Sequence, residues 1–230
     1  MGVKDWVRGQ WGVENWITFD KGAGEGVLIK GTEFVPGVDG EALRCLSMGG
    51  MTFNATEEVA RGYPMSLAVW FKFPKDGLSV NIIRWGNIPS VGATVHGRGS
   101  TYPAGTVEGW VRMSTGDYAL RARSRPLEPD VWHLLVITVE QVTIWGGARA
   151  SMFIDGSRVG SSQVNGGLLN IMNFDRPTLV TFGVGSGEVT VDECVLFERE
   201  LGFEDVVGLY GSPDVDLRGV ESRAGWGIVF

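Results

Sequence analysis

Two pairs of carboxylates come nearest to a hydrolytic arrangement in this chain. Glycoside hydrolysis needs two carboxyl groups that flank the scissile bond. Glu128 and Asp130 are separated by a proline, which favours a turn before the next strand, so both are expected in a loop. Asp192 and Glu193 are adjacent, and adjacent strand residues point to opposite faces. The sequence also lacks the GxSxG, GxxxxGK and HExxH motifs, and we therefore expect that the chain is not an enzyme.

The cysteines and histidines offer little material for a metal centre. Cys45 and Cys194 are the two cysteines, each inside an apolar, strand-like segment and without a CxxC or CxxH neighbour. We interpret them as buried free thiols, with a disulfide as the alternative. His96 and His133 are the only histidines, which is too few for a metal cluster or a catalytic dyad.

Three aromatic residues are candidates for stacking on sugar rings. Residues 86–106 are the least regular part of the chain and are predicted to form long, exposed loops, which often carry function. The aromatic residues in or beside this region are Trp85, Tyr102 and Trp110. Exposed aromatic rings that stack on sugars are typical of glycan-binding modules, so we assign these three to a candidate glycan site.

Three arginines recur at every second position from residue 121. Arg121, Arg123 and Arg125 would share one face of a strand. One interpretation is a solvated face of an acidic protein. The other is an anion site for a carboxylate, a sulfate or an acidic patch of a partner, because the guanidinium group pairs well with oxyanions.

Both ends of the chain carry aromatic residues that we assign to partner binding. These residues are Trp6, Trp11, Trp16, Trp226 and Phe230. The three N-terminal tryptophans are spaced five residues apart, which matches neither a helical face nor a strand face. They belong to an aromatic arm, residues 1–20, that either anchors on the chain's own fold or docks on a partner subunit. The apolar C-terminal run is expected to add a strand to a sheet or to bind a neighbouring chain.

The elements that would position these residues are predicted to be antiparallel strands. A buried strand begins near Val131, and the later pair Asp155 and Gly156 supplies the positive φ angles of a type I′ hairpin turn. Residues 203–210 have the one helical pattern of the chain. Further strands are predicted at 26–30, 42–48, 51–54, 65–73, 79–85, 107–113, 117–123, 178–184 and 188–197.

Composition limits the class of protein. The chain has 230 residues, of which 35 are glycines without a fixed period, and its formal charge is −7 with a pI near 4.9. This acidity argues against binding to nucleic acid or to an anionic membrane. No apolar run approaches a membrane-spanning length and the N-terminus has no signal-peptide pattern, so we expect a chain made in the cytoplasm, without membrane insertion. We find no repeat and no second core, which indicates one domain.

Several segments, taken in order, are similar to one known family. The segments are GEALRCL (40–46), MSLAVWFKF (65–73), LEPDVWHLLVITVEQ (127–141), ASMFIDGSRVGSS (150–162) and VTVDECVLFERELGFEDVVGLY (189–210). They resemble the concanavalin A-like lectin/glucanase superfamily, in particular its laminin G-like jelly-roll branch. The resemblance implies an all-β sandwich of two antiparallel sheets, one of them concave, with one short helix near the C-terminus. We place the jelly-roll domain at residues 21–212, between the arm and a C-terminal tail at 213–230.

The resemblance also bears on the acidic pair of the last strand. The family's glucanases carry their carboxylates as Glu-x-Asp-x-x-Glu, a spacing that this pair does not match. In similar family members the pair fixes a loop or contributes to a calcium site. Asp192 is therefore a candidate calcium ligand, although the sequence identifies no set of further oxygen ligands, and no other cofactor is expected. Along this strand, Val191, Glu193 and Val195 are predicted to share one face.

The family includes sugar-binding modules, adhesion modules, glucanases and structural parts of virus particles, and the fold alone does not select among them. The aromatic ends favour a non-catalytic structural or binding subunit of an assembly, such as a decoration or tail component on the surface of a virus particle. Its partners would be other subunits or copies of itself, together with surface glycans. The alternative is a free glycan-binding module of the lectin type, and a glycoside hydrolase is least favoured.

Overall fold

A computed structural model shows a sandwich of two antiparallel β-sheets, and the residues that it describes also form one short helix near the C-terminus. The jelly-roll class implied by the family resemblance is thereby confirmed. The residues that the structure describes are 13–17, 27–29, 31–38, 40–54, 65–86, 90–113, 115–141, 148–164, 179–197 and 199–211.

The described elements are numbered in chain order. The strands of the first half are β1 (Val13–Ile17), β2 (Val27–Ile29), β3 (Thr32–Pro36), β4 (Glu41–Cys45), β5 (Gly50–Asn54), β6 (Met65–Lys72), β7 (Val80–Gly86) and β8 (Ser90–Val95). The later elements are β9 (Val107–Arg112), β10 (Tyr118–Arg123), β11 (His133–Gln141), β12 (Ala148–Ile154), β13 (Ser157–Val164), β14 (Leu179–Phe182), β15 (Val189–Phe197) and α1 (Phe203–Tyr210).

The two sheets share the strands almost equally. The eight-stranded sheet has the order β13-β12-β11-β6-β15-β4-β3, and β1 also pairs with β15. The seven-stranded sheet has the order β10-β9-β8-β7-β14-β5-β2. Four strands of this second sheet, β7 to β10, are consecutive both in the chain and in the sheet, so their outward side chains form one continuous surface.

The core between the sheets is filled by every second residue of the strands. In β6, Leu67, Val69 and Phe71 point into this core, and Leu135 of β11 packs with them. Complete burial of a side chain of this size stabilises the folded state by roughly 1.5–3 kcal/mol. Because the alternation in β6 is unbroken, the sequence pattern at 65–73 predicted this strand to within one residue.

The hairpin between β12 and β13 has the predicted turn. Asp155 has a φ of 50° and Gly156 a φ of 75°, which are the positive values that a type I′ turn requires. The Asp155 carboxylate accepts a hydrogen bond from the Leu134 N–H at 2.9 Å and pairs with Nδ1 of His133 at 2.7 Å. A side chain therefore ties the turn to the start of β11.

The last strand, β15, does not keep one face along its length. Its pairing with β6 shifts between Asp192 and Val195, and Glu193 has a φ of 43°, which together mark a β-bulge. Before the bulge, Val191 packs between the sheets, whereas Val195 and Phe197 pack on the outer side of the eight-stranded sheet. The predicted common face of Val191, Glu193 and Val195 is wrong, because the extra residue reverses the alternation.

The helix α1 covers part of that outer side. Its Val206 and Leu209 are buried in a second apolar cluster with Trp70, and the ring of Tyr210 stacks on the Trp70 indole at 6.0 Å. The described residues place no helix on the outer face of the seven-stranded sheet. They also include no helix that is long and apolar enough to cross a membrane.

Cys45 and Cys194 are free thiols in the core, which confirms the interpretation made from the sequence. Burial raises the pKa of the Cys45 thiol to about 12 and also raises the pKa of Cys194. Both groups are therefore protonated at neutral pH and pack as small hydrophobic side chains.

Candidate functional site

Three rows of side chains cross the outer face of the seven-stranded sheet, over β8, β9 and β10. Gly109 of β9 faces the core, since a methyl group there would meet the Met152 side chain of the opposite sheet, so the neighbouring Trp110 faces outward. Residues that pair across antiparallel strands share a face. The rows are Thr94, Glu108 and Arg123; Gly92, Trp110 and Arg121; and Ser90, Arg112 and Tyr118.

The indole of Trp110 extends over strand β8. A methyl group on Gly92 would come within 2.8 Å of Trp110 Cζ2 and 3.2 Å of Arg84 Cα, so the glycine leaves open the space that the indole uses. Arg84 is the Cα partner of Gly92 on β7. Trp110 therefore lies between Arg84 on one side and Arg121 on the other, and its side chain stays partly exposed.

Glu108 binds two arginines of β10. Its Oε1 accepts a hydrogen bond from Nε of Arg121 at 2.7 Å, and its Oε2 accepts one from Nε of Arg123. Burial on its own would raise the pKa of this carboxyl, but the hydrogen bonds and charges of the two guanidinium groups outweigh burial and hold the pKa below its usual range. Glu108 is therefore ionised at neutral pH and fixes both arginines.

The loop after β8 joins this arrangement through Tyr102. The guanidinium carbon of Arg123 lies 4.2 Å from the centre of the Tyr102 ring, a cation–π contact. His96 meets the same ring edge-on at 4.8 Å and shares a hydrogen bond of 3.0 Å with the Ser100 hydroxyl. Burial is the main cause that lowers the pKa of His96, although the charge of Glu108 opposes it, so the ring is neutral at pH 7.

Tyr118 is the most exposed aromatic side chain of the three rows. It is 48% exposed. The guanidinium carbons of Arg121 and Arg112 lie 5.3 Å and 5.7 Å from the centre of its ring. The face thus presents aromatic surface together with cationic hydrogen-bond donors. Such a combination is suited to a polar ligand that also has an apolar side.

The structure brings together two groups that the sequence assigned to separate sites. Tyr102 and Trp110 come from the candidate glycan site, and Arg121 and Arg123 come from the candidate anion site. Arg125 lies beyond the end of β10 and outside the three rows, and it is exposed. The glycan and anion hypotheses therefore concern one surface.

Trp85 does not belong to this surface. Its side chain is 1% exposed and packs in the core between the sheets. It follows the outward-facing Arg84 on β7, and neighbouring strand residues point to opposite faces. In contrast to the prediction from the sequence, its indole has no exposed face to offer a sugar.

Most of the terminal aromatic residues lie outside the described residues. These are Trp6, Trp11, Trp226 and Phe230. Trp16 belongs to β1, where its Cα partner is Val195 of β15. Part of the N-terminal arm is therefore a strand of the eight-stranded sheet, and partner binding by the termini stays a prediction.

The contacts of Asp192 are those of a loop-fixing residue, which was the alternative to a calcium ligand. Asp192 is fully buried; its Oδ2 accepts the Val38 N–H at 2.7 Å and its Oδ1 accepts the Glu193 N–H at 2.9 Å. No group of three or more His, Cys, Asp or Glu side chains within the described ranges is arranged to hold a metal ion. Asp192 therefore has no partner set for a calcium site in this part of the chain.

Four charged or aromatic residues of the face were not part of the sequence-based prediction. They are Arg84, Glu108, Arg112 and Tyr118. For β9 a signal was present, because VEGWVR at 107–112 alternates apolar or small residues with Glu, Trp and Arg. For Arg84 no signal was available, since its position beside Trp110 depends on how three strands pair.

A laminin G-type family model, described as the concanavalin A-like lectin/glucanases superfamily, matches residues 47–206. No curated protein sequence matches the chain. Among solved structures, the binding domain of Paraclostridial mosquitocidal protein 1 is similar, with 14% identity and a TM-score of 0.61, over 80% of this chain and 46% of that one. The botulinum neurotoxin serotype D binding domain has 15% identity and a TM-score of 0.63, over 86% of this chain and 51% of that one.

A third similar structure contains a bound sugar. It is the botulinum neurotoxin serotype D ligand binding domain in complex with N-acetylneuraminic acid, with 16% identity and a TM-score of 0.58, over 81% of this chain and 45% of that one. At such low identity the likeness shows the fold alone. The chain spans about half the length of the structures that it matches.

Proposed function

Because the chain belongs to the concanavalin A-like lectin/glucanases superfamily, we propose that it is a non-catalytic carbohydrate-binding domain. The saccharide would lie on the outer face of the seven-stranded sheet, across β8, β9 and β10. Members of one fold differ in function, so the proposal depends on the residues of this face more than on the membership itself.

The partly exposed position of Trp110 is the main support for the proposal. Its indole extends over Gly92 on an outward sheet face and remains partly exposed, although an apolar ring of this size would gain free energy from complete burial. An indole offers a rigid apolar surface that suits the C–H groups of a sugar ring. On the neighbouring row, Thr94 donates its hydroxyl hydrogen to Asn81 Oδ1 at 2.7 Å, and its oxygen can accept a hydrogen bond from a sugar hydroxyl.

The similar solved structures support a binding role as a class of function. Two of them are described as binding domains, one of a mosquitocidal protein and one of a botulinum neurotoxin, and the third is a complex with N-acetylneuraminic acid. This chain covers less than half of the complexed chain, so the position of the sugar there does not transfer to a position here.

The electrostatics of Glu108 argue against hydrolysis on this face. Among the described strand residues of β7 to β10 that face outward, Glu108 is the only carboxylate. A glycosidase needs two, one of which acts as an acid with a raised pKa. Arg121 and Arg123 hold the pKa of Glu108 low instead. We expect no release of reducing ends from a β-glucan, and turnover that Glu128→Gln abolishes would contradict this expectation.

Replacement of Trp110 tests the proposed function. A glycan array identifies the saccharide that binds best, and calorimetric titration compares wild type with Trp110→Ala. We expect binding at least about tenfold weaker in the variant, since a loss of about 1.4 kcal/mol corresponds to a factor of ten. The matched control is Trp132→Ala, since Trp132 is partly exposed immediately before β11 of the other sheet, and its ring centre lies 4.9 Å from Lys72 Nζ. Unchanged binding by Trp110→Ala would place any saccharide elsewhere.

The finer proposal is that the domain is a surface subunit of an assembly, such as a decoration or tail component of a virus particle. The aromatic residues of the N-terminal arm and the apolar C-terminal run support it, because tryptophans are frequent at the centres of interfaces. The two proposals are compatible, since a subunit on the surface of a particle can also bind glycans.

A further inference from the structure

We propose that the face around Trp110 selects saccharides that carry a negative charge on the sugar, as a carboxylate or a sulfate. This inference rests on the proposed carbohydrate-binding function and specifies its ligand. It is carried by three properties of the arginines on this face, which are their net charge, their anchoring and their position relative to the indole.

The face is positive although the protein is acidic. Its outward strand positions on β7 to β10 hold four arginines, and the described residues of these positions include one carboxylate, Glu108. Four positive charges against one negative leave a local charge of +3, whereas the whole chain has a formal charge of −7. A concentration of one sign of charge on a single face favours a ligand of the opposite sign. The four arginines are Arg84, Arg112, Arg121 and Arg123.

Each of the four guanidinium groups is held in place through its Nε. The acceptors are the carbonyl oxygen of Gly86 for Arg84, the carbonyl oxygen of Gly116 for Arg112, and the Glu108 carboxylate for both Arg121 and Arg123. For Arg112, Arg121 and Arg123 these bonds do not use an Nη amino group, and the two Nη groups supply four of the five N–H donors of a guanidinium. A guanidinium that is already positioned loses less conformational entropy when it binds an oxyanion.

The position of the indole brings a stacked sugar close to this charge. Neighbouring strands are about 4.8 Å apart, and Arg121 lies one strand from Trp110 while Arg84 lies two strands away, beyond Gly92. Because the indole extends over Gly92 toward Arg84, a sugar ring that stacks on it lies between the two arginines. A carboxylate or sulfate on the β10 side of the ring is then within reach of the Arg121 guanidinium, whose two Nη groups can bind it through two parallel hydrogen bonds.

Three related saccharides test the inference with the full chain. Wild type is titrated with lactose, sialyllactose and sulfated lactose. We expect each acidic saccharide to bind at least about tenfold more tightly than lactose, and this preference to fall as salt is raised, because ions screen exposed charges. If the two acidic saccharides differ in affinity, the one that binds more tightly identifies the preferred anion. Either order supports the inference.

Two arginine variants separate charge recognition from folding. Arg121→Gln and Arg112→Gln are each expected to weaken binding of the preferred acidic saccharide about tenfold while changing the affinity for lactose less than twofold. Arg112 donates its Nε–H to the Gly116 carbonyl oxygen rather than to Glu108, so its variant leaves the pair of arginines on β10 in place. Arg158→Gln is the matched control, because it removes the same charge from an exposed position of β13 on the other sheet.

The outcomes distinguish this inference from the proposed function. Equal affinity for all three saccharides, lost in Trp110→Ala but unchanged in Arg121→Gln and Arg112→Gln, would overturn the inference and leave the carbohydrate-binding function standing. No binding of any saccharide would overturn both. Binding of polyglutamate without binding of any saccharide would also overturn both and would indicate an acidic protein surface as the partner.

Discussion

His133 ties the central hairpin to the buried strand beside it. Its Nδ1 pairs with Asp155 at 2.7 Å and its Nε2 donates to the Glu128 carbonyl oxygen at 2.9 Å. A ring that donates from both nitrogens is in the protonated form. Burial on its own would lower the pKa of His133, but the hydrogen bond and charge of Asp155, with the Glu128 carbonyl, outweigh burial and raise the pKa.

This raised pKa predicts how stability depends on pH. The unfolded pKa is about 6.5, so the stability that comes from the protonated ring is complete below that pH and is lost as the pH rises through the folded pKa. We expect the difference in free energy of unfolding between wild type and His133→Gln to shrink as the pH rises from about 6 to about 9. Urea unfolding at several pH values measures it. A difference that stays constant or grows would contradict a protonated His133.

Asp192 is expected to matter for stability through its two backbone hydrogen bonds. Asp192→Asn keeps the shape of the side chain but replaces one acceptor oxygen by an NH₂ group, so the N–H of Val38 or Glu193 loses its partner. We expect a loss of roughly 1–3 kcal/mol in urea unfolding. The control is Asp117→Asn, since Asp117 is on the surface and accepts from the Thr115 hydroxyl at 3.1 Å. Calcium that raises the Tm of wild type but not of Asp192→Asn would contradict the loop-fixing role.

Strands are predictable from the sequence where the alternation of faces is unbroken. The strand β6 runs from Met65 to Lys72, and the pattern predicted 65–73. In β15 the same reasoning fails at Glu193, because a bulge adds one residue to the strand. A glutamate with a positive φ is uncommon, and an extra residue in an apolar run resembles a longer strand. The register beyond Asp192 therefore had no local signal.

Deletion of Glu193 tests the bulge directly. Without the extra residue, strict alternation from Asp192 keeps Cys194 and Leu196 between the sheets and Val195 and Phe197 in the cluster under α1. We therefore expect the variant that lacks Glu193 to retain the β-type circular dichroism spectrum and a cooperative thermal transition. The control is deletion of Thr190, an ordinary residue of β15 that pairs with Lys72, because its loss reverses the faces of the strand on one side of the deletion; we expect it to cost more than about 4 kcal/mol. Loss of the cooperative transition in both deletion variants alike would contradict the bulge.

The site as a whole was only partly predictable. Tyr102, Trp110, Arg121 and Arg123 were identified from residue type and spacing, but their meeting on one face depends on the pairing of β8, β9 and β10. Trp85 was misassigned because it was chosen for its place beside residues 86–106, whereas it belongs to β7 and its side chain lies in the core. A single sequence does not show which strands pair with one another.

The assembly proposal concerns the two ends of the chain. The described residues form two sheets of eight and seven strands, and the N-terminal arm contributes β1 to one of them through Val13–Ile17. Further aromatic residues lie on either side of this sandwich in the sequence, at Trp6, Trp11 and from Trp226 to Phe230. Each large apolar side chain that becomes buried stabilises the buried state by roughly 1.5–3 kcal/mol, so a few of them would hold a subunit in place.

Deletion of residues 1–12 or 225–230 tests the assembly proposal, and both deletions leave β1 intact. We expect each truncated chain to keep the β-type circular dichroism spectrum and a cooperative thermal transition while its molar mass by light scattering falls below that of wild type, because an interface is lost rather than a core. The variant Trp110→Ala is the control, since a change on the seven-stranded sheet should leave the mass unchanged. A truncated chain that unfolds would show that the ends belong to the domain's own core. That result, or a wild type that is a monomer at all concentrations, would contradict the assembly role and leave a free carbohydrate-binding domain.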